Sequence, residues 1–160
     1  MSEENESVDE DLEIPEYEQD QLILKTHERV NRDLSGEIQR MELGYVESKL
    51  VTTHDMIADD QGLIHSGFIF SAADFAAMAA VNERNVVLVG CDAQFLSPVK
   101  FGDIIKFVAK VRHKEGRKRN INVTGHILDI KVFEGEFKTV VTERHVLKLK
   151  LTDEKDAVFL

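Results

Sequence analysis

A single carboxylate lies inside an apolar stretch of the chain, residues 65–82, which reads HSGFIFSAADFAAMAAVN. Between Phe68 and Val81 the one charged residue is Asp74. Burying a carboxylate in such surroundings is costly unless the group is paired, hydrogen-bonded or protonated. Asp74 is therefore a candidate base or nucleophile. The alternative is a structural carboxylate held by hydrogen bonds to backbone groups or hydroxyls.

The first three residues of this stretch stand where a helix should begin. The N-terminus of a helix presents unpaired N–H groups and the positive end of the helix dipole, which together suit a developing negative oxygen. Ser66 and Gly67 are thus candidate donors to an oxyanion, and Gly67 lacks a Cβ that would keep a ligand away from the backbone. His65 is a further candidate: we expect it to orient the loop before the helix, and the alternative is a direct role in catalysis.

The spacing between these groups predicts an oligomer. Eight residues separate Ser66 from Asp74, and eight residues of α-helix span ~12 Å, which is too far for both ends to act on one carbonyl. Two antiparallel helices related by a two-fold axis would bring each Asp74 to Ser66 and Gly67 of the other chain. We therefore expect at least a homodimer with two equivalent sites.

Hydrophobic periodicity predicts the elements that position these residues. Apolar residues at helical intervals predict an N-terminal helix within 21–42, and a first strand follows near 45–54. After the apolar helix come runs of strand composition, separated by turn-like SPVKFGD, KEGRKR and EG. Four such runs are found, at 86–96, 104–113, 120–133 and 136–151.

This order of elements predicts a single α+β domain. Short turns favour antiparallel neighbours, and a helix that is apolar on every side needs a sheet curved around it. The expected fold is a five-stranded antiparallel sheet wrapped around one long central helix, with the extra N-terminal helix outside it. The small side chains that would let the sheet approach this helix closely are Ala72, Ala73, Ala76, Ala77, Ala79 and Ala80.

Two motifs resemble the hotdog-fold family, and within it the small acyl-CoA thioesterases of the phenylacetate-pathway type. That family has His-Gly-Gly before an apolar helix, with an acidic residue eight positions after the first glycine; the matching residues are His65, Ser66, Gly67 and Asp74. Residues 95–103, FLSPVKFGD, are similar to its second signature, in which Pro and Gly-Asp shape a turn. The resemblance covers residues 43–151 and implies a hotdog domain.

The resemblance implies an acyl-CoA ligand or substrate, with Asp74 activating water or attacking the thioester and the other chain's Ser66 and Gly67 holding the oxyanion. Coenzyme A needs cations for its phosphates, and relatives often place basic residues near the turn 112–120. Arg suits bidentate phosphate contacts and Lys a point charge. The candidate phosphate-binding residues are Arg112, Lys114, Arg117, Lys118 and Arg119.

Two departures from the family pattern bear on activity. Ser66 replaces the first glycine, which keeps the N–H but adds a side chain. Asp59 stands where relatives often have an Asn, and an ionised Asp cannot donate a hydrogen bond to a carbonyl. Two further hypotheses therefore stay open: a non-catalytic acyl-CoA sensor or adaptor, similar to the sensing domain of the repressor of fatty-acid synthesis, and a ligand-free interaction module. Hotdog dehydratases carry a proline-rich loop that the stretch around His65 lacks.

Charge is concentrated at one end of the chain. Residues 1–20 hold ten acidic and no basic residues, which equals the net charge of −10 of the whole chain. We expect 1–20 to be an acidic disordered tail, followed by a helix in 21–42, a hotdog domain in 43–151 and a C-terminal tail in 152–160. A neutral body with an acidic tail argues against nucleic acid as the main partner.

Composition also bounds the compartment and the cofactors. The single Cys91 excludes an internal disulfide and fits a reducing compartment. No leader of basic then apolar residues opens the sequence, and the apolar run of 67–81 is shorter than the ~20 residues of a membrane span. We expect a cytoplasmic protein that does not enter membranes. No His or Cys spacing indicates a metal, so no metal and no cofactor beyond the coenzyme A thioester are expected.

Overall fold

The structure, a computed structural model, describes residues 23–149. It contains a short helix α1 (Arg32–Ser35) and a long helix α2 (Ser66–Val81), with single 3-10 turns at His54–Met56 and Val146–Lys148. The six strands are β1 (Glu37–Glu42), β2 (Tyr45–Val51), β3 (Val86–Phe95), β4 (Ile104–Glu115), β5 (Lys118–Ile127) and β6 (Ile130–Val141).

All six strands form one antiparallel sheet in the order β1-β2-β4-β5-β6-β3. Helix α2 packs mainly on β4, β2 and β5. The expected fold class, an antiparallel sheet around one central helix, is confirmed, although the sheet has six strands rather than five. In this order β3 is an edge strand, because within the described chain it pairs only with β6.

The core explains the composition of α2. All six alanines of the helix are at most 1% exposed, so small side chains line the helix where the sheet backbone approaches. Larger groups from the strands fill the remaining volume around them; the fully buried ones include Phe107, Phe133, Phe137, Leu50 and Ile105. This packing fixes the rotation of α2 and hence the direction in which Asp74 points.

The helix expected within 21–42 is wrong apart from one turn. Of the described residues 23–42 only α1 is helical, and residues 37–42 form strand β1 against β2. The register shifts between Ile38 and Arg40, so that Ile38 lies opposite Ser48 and Met41 opposite Val46. A β-bulge inserts one extra residue, and it therefore places Ile38 and Met41 on one face at a spacing of three. That spacing imitates a helix in the sequence.

Three features of the strands also differ from those expected. The run 120–133 is divided by a turn at Leu128 and Asp129, where Leu128 has φ +54°. The predicted turn at 134–135 lies instead inside β6, where a Cβ on Gly135 would be 3.1 Å from the Phe137 ring. This glycine is needed for packing and not for a turn. The last run ends as a strand at Val141 and not at 151.

The N-terminal acidic segment predicted for 1–20 and the C-terminal tail predicted for 152–160 lie outside the described residues. The domain boundaries derived from the sequence remain predictions.

Candidate functional site at the central helix

The N-terminus of α2 is capped by the residue before it. His65 has extended backbone angles, and its Nδ1 accepts a hydrogen bond from the Gly67 N–H at 2.8 Å. The Phe68 N–H donates to the His65 carbonyl at 3.1 Å. Among the turn and cap hydrogen bonds of residues 23–149, none uses the Ser66 N–H. Of the two predicted oxyanion donors, Ser66 is therefore free and Gly67 is occupied by His65.

The lack of a side chain at Gly67 makes this cap possible. A Cβ at Gly67 would lie 2.8 Å from both Cε1 and Nδ1 of His65, closer than atoms of this kind approach. The space that the sequence reserves for a ligand above Gly67 is thus filled by the imidazole. His65 orients the start of the helix, as the sequence predicts, through its own ring.

The cap also assigns the tautomer of His65. Since Nδ1 accepts, the proton of the neutral ring is on Nε2, which makes that N–H a donor at the start of the helix. The ring is exposed and meets Phe68 edge to face, with centroids 6.0 Å apart. The start of α2 therefore offers two unused donors, the Ser66 N–H and the His65 Nε2–H.

Asp74 lies two turns further along α2, and one oxygen of its carboxylate has no hydrogen-bond partner. That oxygen, Oδ1, is buried. The hydroxyl one turn before it, Ser71 Oγ, is instead 3.0 Å from Ser35 Oγ. Burial raises the pKa of Asp74 to about 6, because the charged form loses its hydration. The structural alternative requires hydrogen bonds that Oδ1 does not make.

Asp74 lies on the side of α2 that faces strand β3. Burial first, and then the negative charges of Asp74 and Asp92, raise the pKa of the Cys91 thiol to about 11. Cys91 is near the middle of β3, so Asp74 lies close enough to the free edge of the sheet for its charge to affect a side chain there. This neighbourhood could not be foreseen from the sequence, because no local signal identifies which strand will be at an edge.

The predicted phosphate-binding residues all lie on the β4–β5 hairpin. Arg112 and Lys114 are on β4, Arg117 is in the turn, and Lys118 and Arg119 begin β5. The Arg119 guanidinium donates to the Gly116 carbonyl at 2.7 Å, and Arg117 lies 3.5 Å from Glu143. The structure thus brings the five residues together, with two of them already holding the turn or a carboxylate.

The hairpin lies at the end of the molecule where α2 stops. Lys118 pairs with Val140, and the next residue of β6, Val141, pairs with Val86 at the start of β3. Val86 follows the end of α2 by five residues. Within one chain the basic hairpin and Ser66 are therefore at opposite ends of the helix.

Loop residues from the family motifs have structural partners. Asp59 Oδ1 accepts hydrogen bonds from the N–H groups of Gln61 and Leu63, at 2.9 and 3.1 Å, so it holds its own loop together. In the second motif Asp103 Oδ2 accepts from the Lys100 N–H at 2.8 Å, and Gly102 has φ +93°. The turn shaped by Gly-Asp is found as expected.

The clefts and helices of residues 23–149 bear on other kinds of site. Four of the clefts in residues 23–149 have linings that do not include Asp74, Ser66 or Gly67. In that same range no three His, Cys, Asp or Glu side chains are grouped as they would be around a metal ion. No helix in the described part is both long and apolar enough to cross a membrane.

Comparison with known proteins gives the family. The model of the thioesterase superfamily matches residues 61–133, which include α2, β3 and β4. A sigma28-regulated virulence protein from Campylobacter jejuni has a solved structure that is 40% identical, with a TM-score of 0.76 over 78% of this chain and 89% of that one. An uncharacterised protein from Pyrococcus horikoshii is also 40% identical, with a TM-score of 0.77 over 79% of this chain and 97% of that one. The chain belongs to the thioesterase superfamily of hotdog-fold proteins.

Curated relatives are longer than this chain. Methylthioribose-1-phosphate isomerase from Aquifex aeolicus is 50% identical over 73% of this chain, and the match spans 26% of that protein. Transcription factor FapR from a Thermoanaerobacter species is 26% identical over 72% of this chain and 58% of its own length. The chain thus spans about a quarter of the first relative and somewhat over half of the second.

Proposed function

We propose that the chain binds acyl-CoA thioesters between two copies of itself and hydrolyses them, with Asp74 as the general base. The observation that carries this proposal is the unpaired, buried Oδ1 of Asp74, whose pKa of about 6 leaves the group ionised at neutral pH. A base is most effective when its pKa lies near the working pH. Membership of the thioesterase superfamily supports this chemistry.

The second copy would pair with the free edge of β3. This edge strand is ten residues long, and Val89 and Phe95 on it are 45% and 46% exposed. Long exposed edge strands pair readily with another chain. A two-fold axis near the middle of β3 would make the two α2 helices antiparallel and bring Asp74, which already faces this edge, toward the partner's Ser66.

In this arrangement each site takes its general base from one chain and its oxyanion donors from the other. Asp74 accepts a proton from a water whose oxygen attacks the thioester carbonyl carbon. The negative charge on the carbonyl oxygen is met by the partner's free Ser66 N–H and by the partner's His65 Nε2–H. The C–S bond then breaks, and the sulfur leaves with the electron pair and takes the proton that Asp74 accepted from water, so that a free thiol and a carboxylic acid are released.

The coenzyme A part would be held by the basic hairpin. In an antiparallel dimer the end of α2 in one chain lies toward the start of α2 in the other, so each hairpin is on the same side as the partner's Ser66. Arg112, Lys114 and Lys118 are exposed there and supply positive charge for phosphates. A cytoplasmic acyl-CoA from fatty-acid metabolism is the class of ligand we propose, consistent with the one reduced cysteine.

Binding without turnover is the second candidate, and one observation favours it. The Gly67 N–H, one of the two donors predicted for the oxyanion, is occupied by His65 Nδ1. A site with a weakened oxyanion hole would hold a thioester without cleaving it. The similarity to transcription factor FapR supports a sensing role of that kind.

One experiment separates these functions. Calorimetric binding of acyl-CoAs of several chain lengths is paired with a thiol-release assay, on wild type and on Asp74→Asn. Hydrolysis requires thiol release by wild type and a loss of about 100-fold or more in Asp74→Asn, as is typical for removal of a general base. Tight binding without thiol release would instead establish the sensor, and the absence of binding to every acyl-CoA would overturn both.

A further inference from the structure

A cleft of about 240 Å³ lies at the far end of the molecule from Ser66. Three segments that are distant in sequence form it: the leading residues Thr26 and His27, the connection from α2 to β3, and the turn after β6. The residues that line it are Thr26, His27, Arg84, Asn85, Val86, Val87, His145 and Val146. A shallower groove continues from it past Lys25 and Arg29.

Two side chains that line this cleft, His145 and Arg84, can donate hydrogen bonds. His145 Nδ1 accepts a hydrogen bond from the Leu147 N–H at 3.1 Å, so the proton of its neutral ring is on Nε2. Among the ion pairs of residues 23–149, none uses the Arg84 guanidinium. None of the eight lining residues is acidic.

His27 is held in place at a conformational cost. Its φ is +53°, a left-handed value that is uncommon for residues other than glycine. Its Nδ1 lies 2.7 Å from the hydroxyl of Thr26, and Thr26 is 5% exposed. Residues kept in such conformations by buried partners cluster at functional sites. The Thr26 contact leaves Nε2 as the free nitrogen of His27.

Carboxylates near the cleft are few and partly engaged. Glu83 and Glu143 adjoin lining segments in sequence, and Glu143 is already paired with Arg117 at 3.5 Å. Glu28 lines the adjoining groove but not the cleft. The negative end of the α2 dipole acts mainly within its last turn, which ends at Val81, before Arg84.

We propose that this cleft binds a phosphomonoester. Arg84 would form bidentate hydrogen bonds to the phosphate, His145 and His27 would donate from their Nε2 atoms, and the apolar floor of Val86, Val87 and Val146 would contact the carbon part of the ligand. The phosphate belongs either to a free phosphomonoester or to the 3′-phosphate of coenzyme A. Neither source requires turnover of a thioester.

The test follows the imidazole signals of the full-length protein by NMR while inorganic phosphate is added. A bound phosphate accepts hydrogen bonds from the two Nε2–H groups, so the imidazole signals of His27 and His145 are expected to shift as phosphate is added. Arg84→Gln is expected to weaken phosphate binding about tenfold, as for the loss of a charged hydrogen bond. Arg40→Gln, which removes a positive charge from β1, is the control that leaves it unchanged.

A second variant removes a donor from the cleft while keeping the local hydrogen bond that holds the turn after β6. His145→Asn retains a side-chain oxygen to accept from the Leu147 N–H but removes the imidazole donor, and it is also expected to weaken phosphate binding. His113, beside the basic hairpin, reports on phosphate bound there. Shifts confined to His113, or an affinity unchanged in both Arg84→Gln and His145→Asn, would overturn the proposal.

Comparison of ligands identifies the source of the phosphate. If the 3′-phosphate of coenzyme A occupies the cleft, Arg84→Gln weakens coenzyme A but not 3′-dephospho-coenzyme A. If a free phosphomonoester does, ribose 5-phosphate binds more tightly than inorganic phosphate and its affinity falls in Arg84→Gln, while that of coenzyme A does not. Both results support the cleft, and each can be obtained whether or not thioesters are hydrolysed.

Discussion

The imidazole of His65 accepts the backbone N–H of Gly67 at 2.8 Å, and the two residues fit together only because Gly67 has no side chain. The residues of the family motif thus cap the start of α2. The donors that remain for a thioester are those that the cap leaves free, the Ser66 N–H and the Nε2–H of His65.

We expect the effects of His65 and Gly67 on stability to be strongly coupled. In wild type, Gly67→Ala displaces the His65 ring and loses the cap, which costs about 1 kcal/mol. In a His65→Ala background the same change meets no ring and gains about 0.5–1 kcal/mol, since alanine favours a helix over glycine. Urea unfolding of the four proteins measures the cycle. Additive effects would show that the cap is not formed in solution.

Asp74→Asn is predicted to stabilise the protein at neutral pH. The pKa of Asp74 is raised from 3.8 to about 6 in the folded state, so the native protein binds this proton more tightly than the unfolded chain does. Wild-type stability therefore falls as pH rises from about 4 to 6, by up to about 3 kcal/mol. Asparagine carries no such penalty.

Thermal unfolding of both proteins tests the prediction. The pH is varied from about 3.5 to about 8, which includes both the unfolded-state and the folded-state pKa of Asp74. The difference in Tm should be largest above pH 6 and disappear near the lower end, where Asp74 is protonated in both states. Asp129→Asn, in the exposed β5–β6 turn, is the control and should show no comparable dependence on pH. A wild type more stable than Asp74→Asn at neutral pH would contradict the burial of an unpaired carboxylate.

Thioester hydrolysis is expected to follow the ionisation of Asp74. Only the carboxylate can accept a proton from water, so kcat/KM should rise with pH through about 6 and then level off. The measurement is thiol release from one acyl-CoA across this range, corrected for the reaction without protein. A rate that is already constant below pH 5, about one unit under that pKa, would assign the reaction to another group.

Cys91 should report on the proposed dimer. It is the one cysteine of the chain and lies near the middle of β3, and paired strands are about 5 Å apart. A short bismaleimide is therefore expected to link two chains through Cys91. Cys91→Ser abolishes the link, and Gln39→Cys in that background, on the opposite edge strand β1, should not restore it. A monomer in light scattering would remove both the dimer and the shared site.

The hairpin is expected to bind coenzyme A through charge. Arg112→Gln, Lys114→Gln and Lys118→Gln should each weaken the affinity about twofold to fivefold, as is typical of exposed ionic contacts, and reduce its dependence on salt. Lys106→Gln, earlier on β4, is the matched control. Arg119→Gln should instead lower stability, because its guanidinium bonds to the Gly116 carbonyl. Equal effects at Lys106 and Lys118 would indicate a general charge effect and no site.

Local sequence patterns predict an element correctly where the residues of that element alone determine its structure. The continuous apolar run ahead of Asn82 predicts α2 within a residue, because every face of that helix is buried. The Gly-Asp pair at 102–103 predicts its turn, because only certain residues suit that backbone. Strand β1 was missed because a bulge near Gln39 moves Ile38 and Met41 to one face, and a bulge depends on the partner strand.

The sequence by itself determined a hotdog-type domain and pointed to Asp74, since a single charge within an apolar helix can be read directly from the order of the residues. Only the tertiary structure decided what surrounds that charge. It left Oδ1 without a partner, turned Asp74 toward an edge strand, placed the His65 ring on Gly67 and gathered Thr26, Arg84 and His145 around one cleft. These relations join residues far apart along the chain, and packing and strand order, which no local pattern encodes, bring them together.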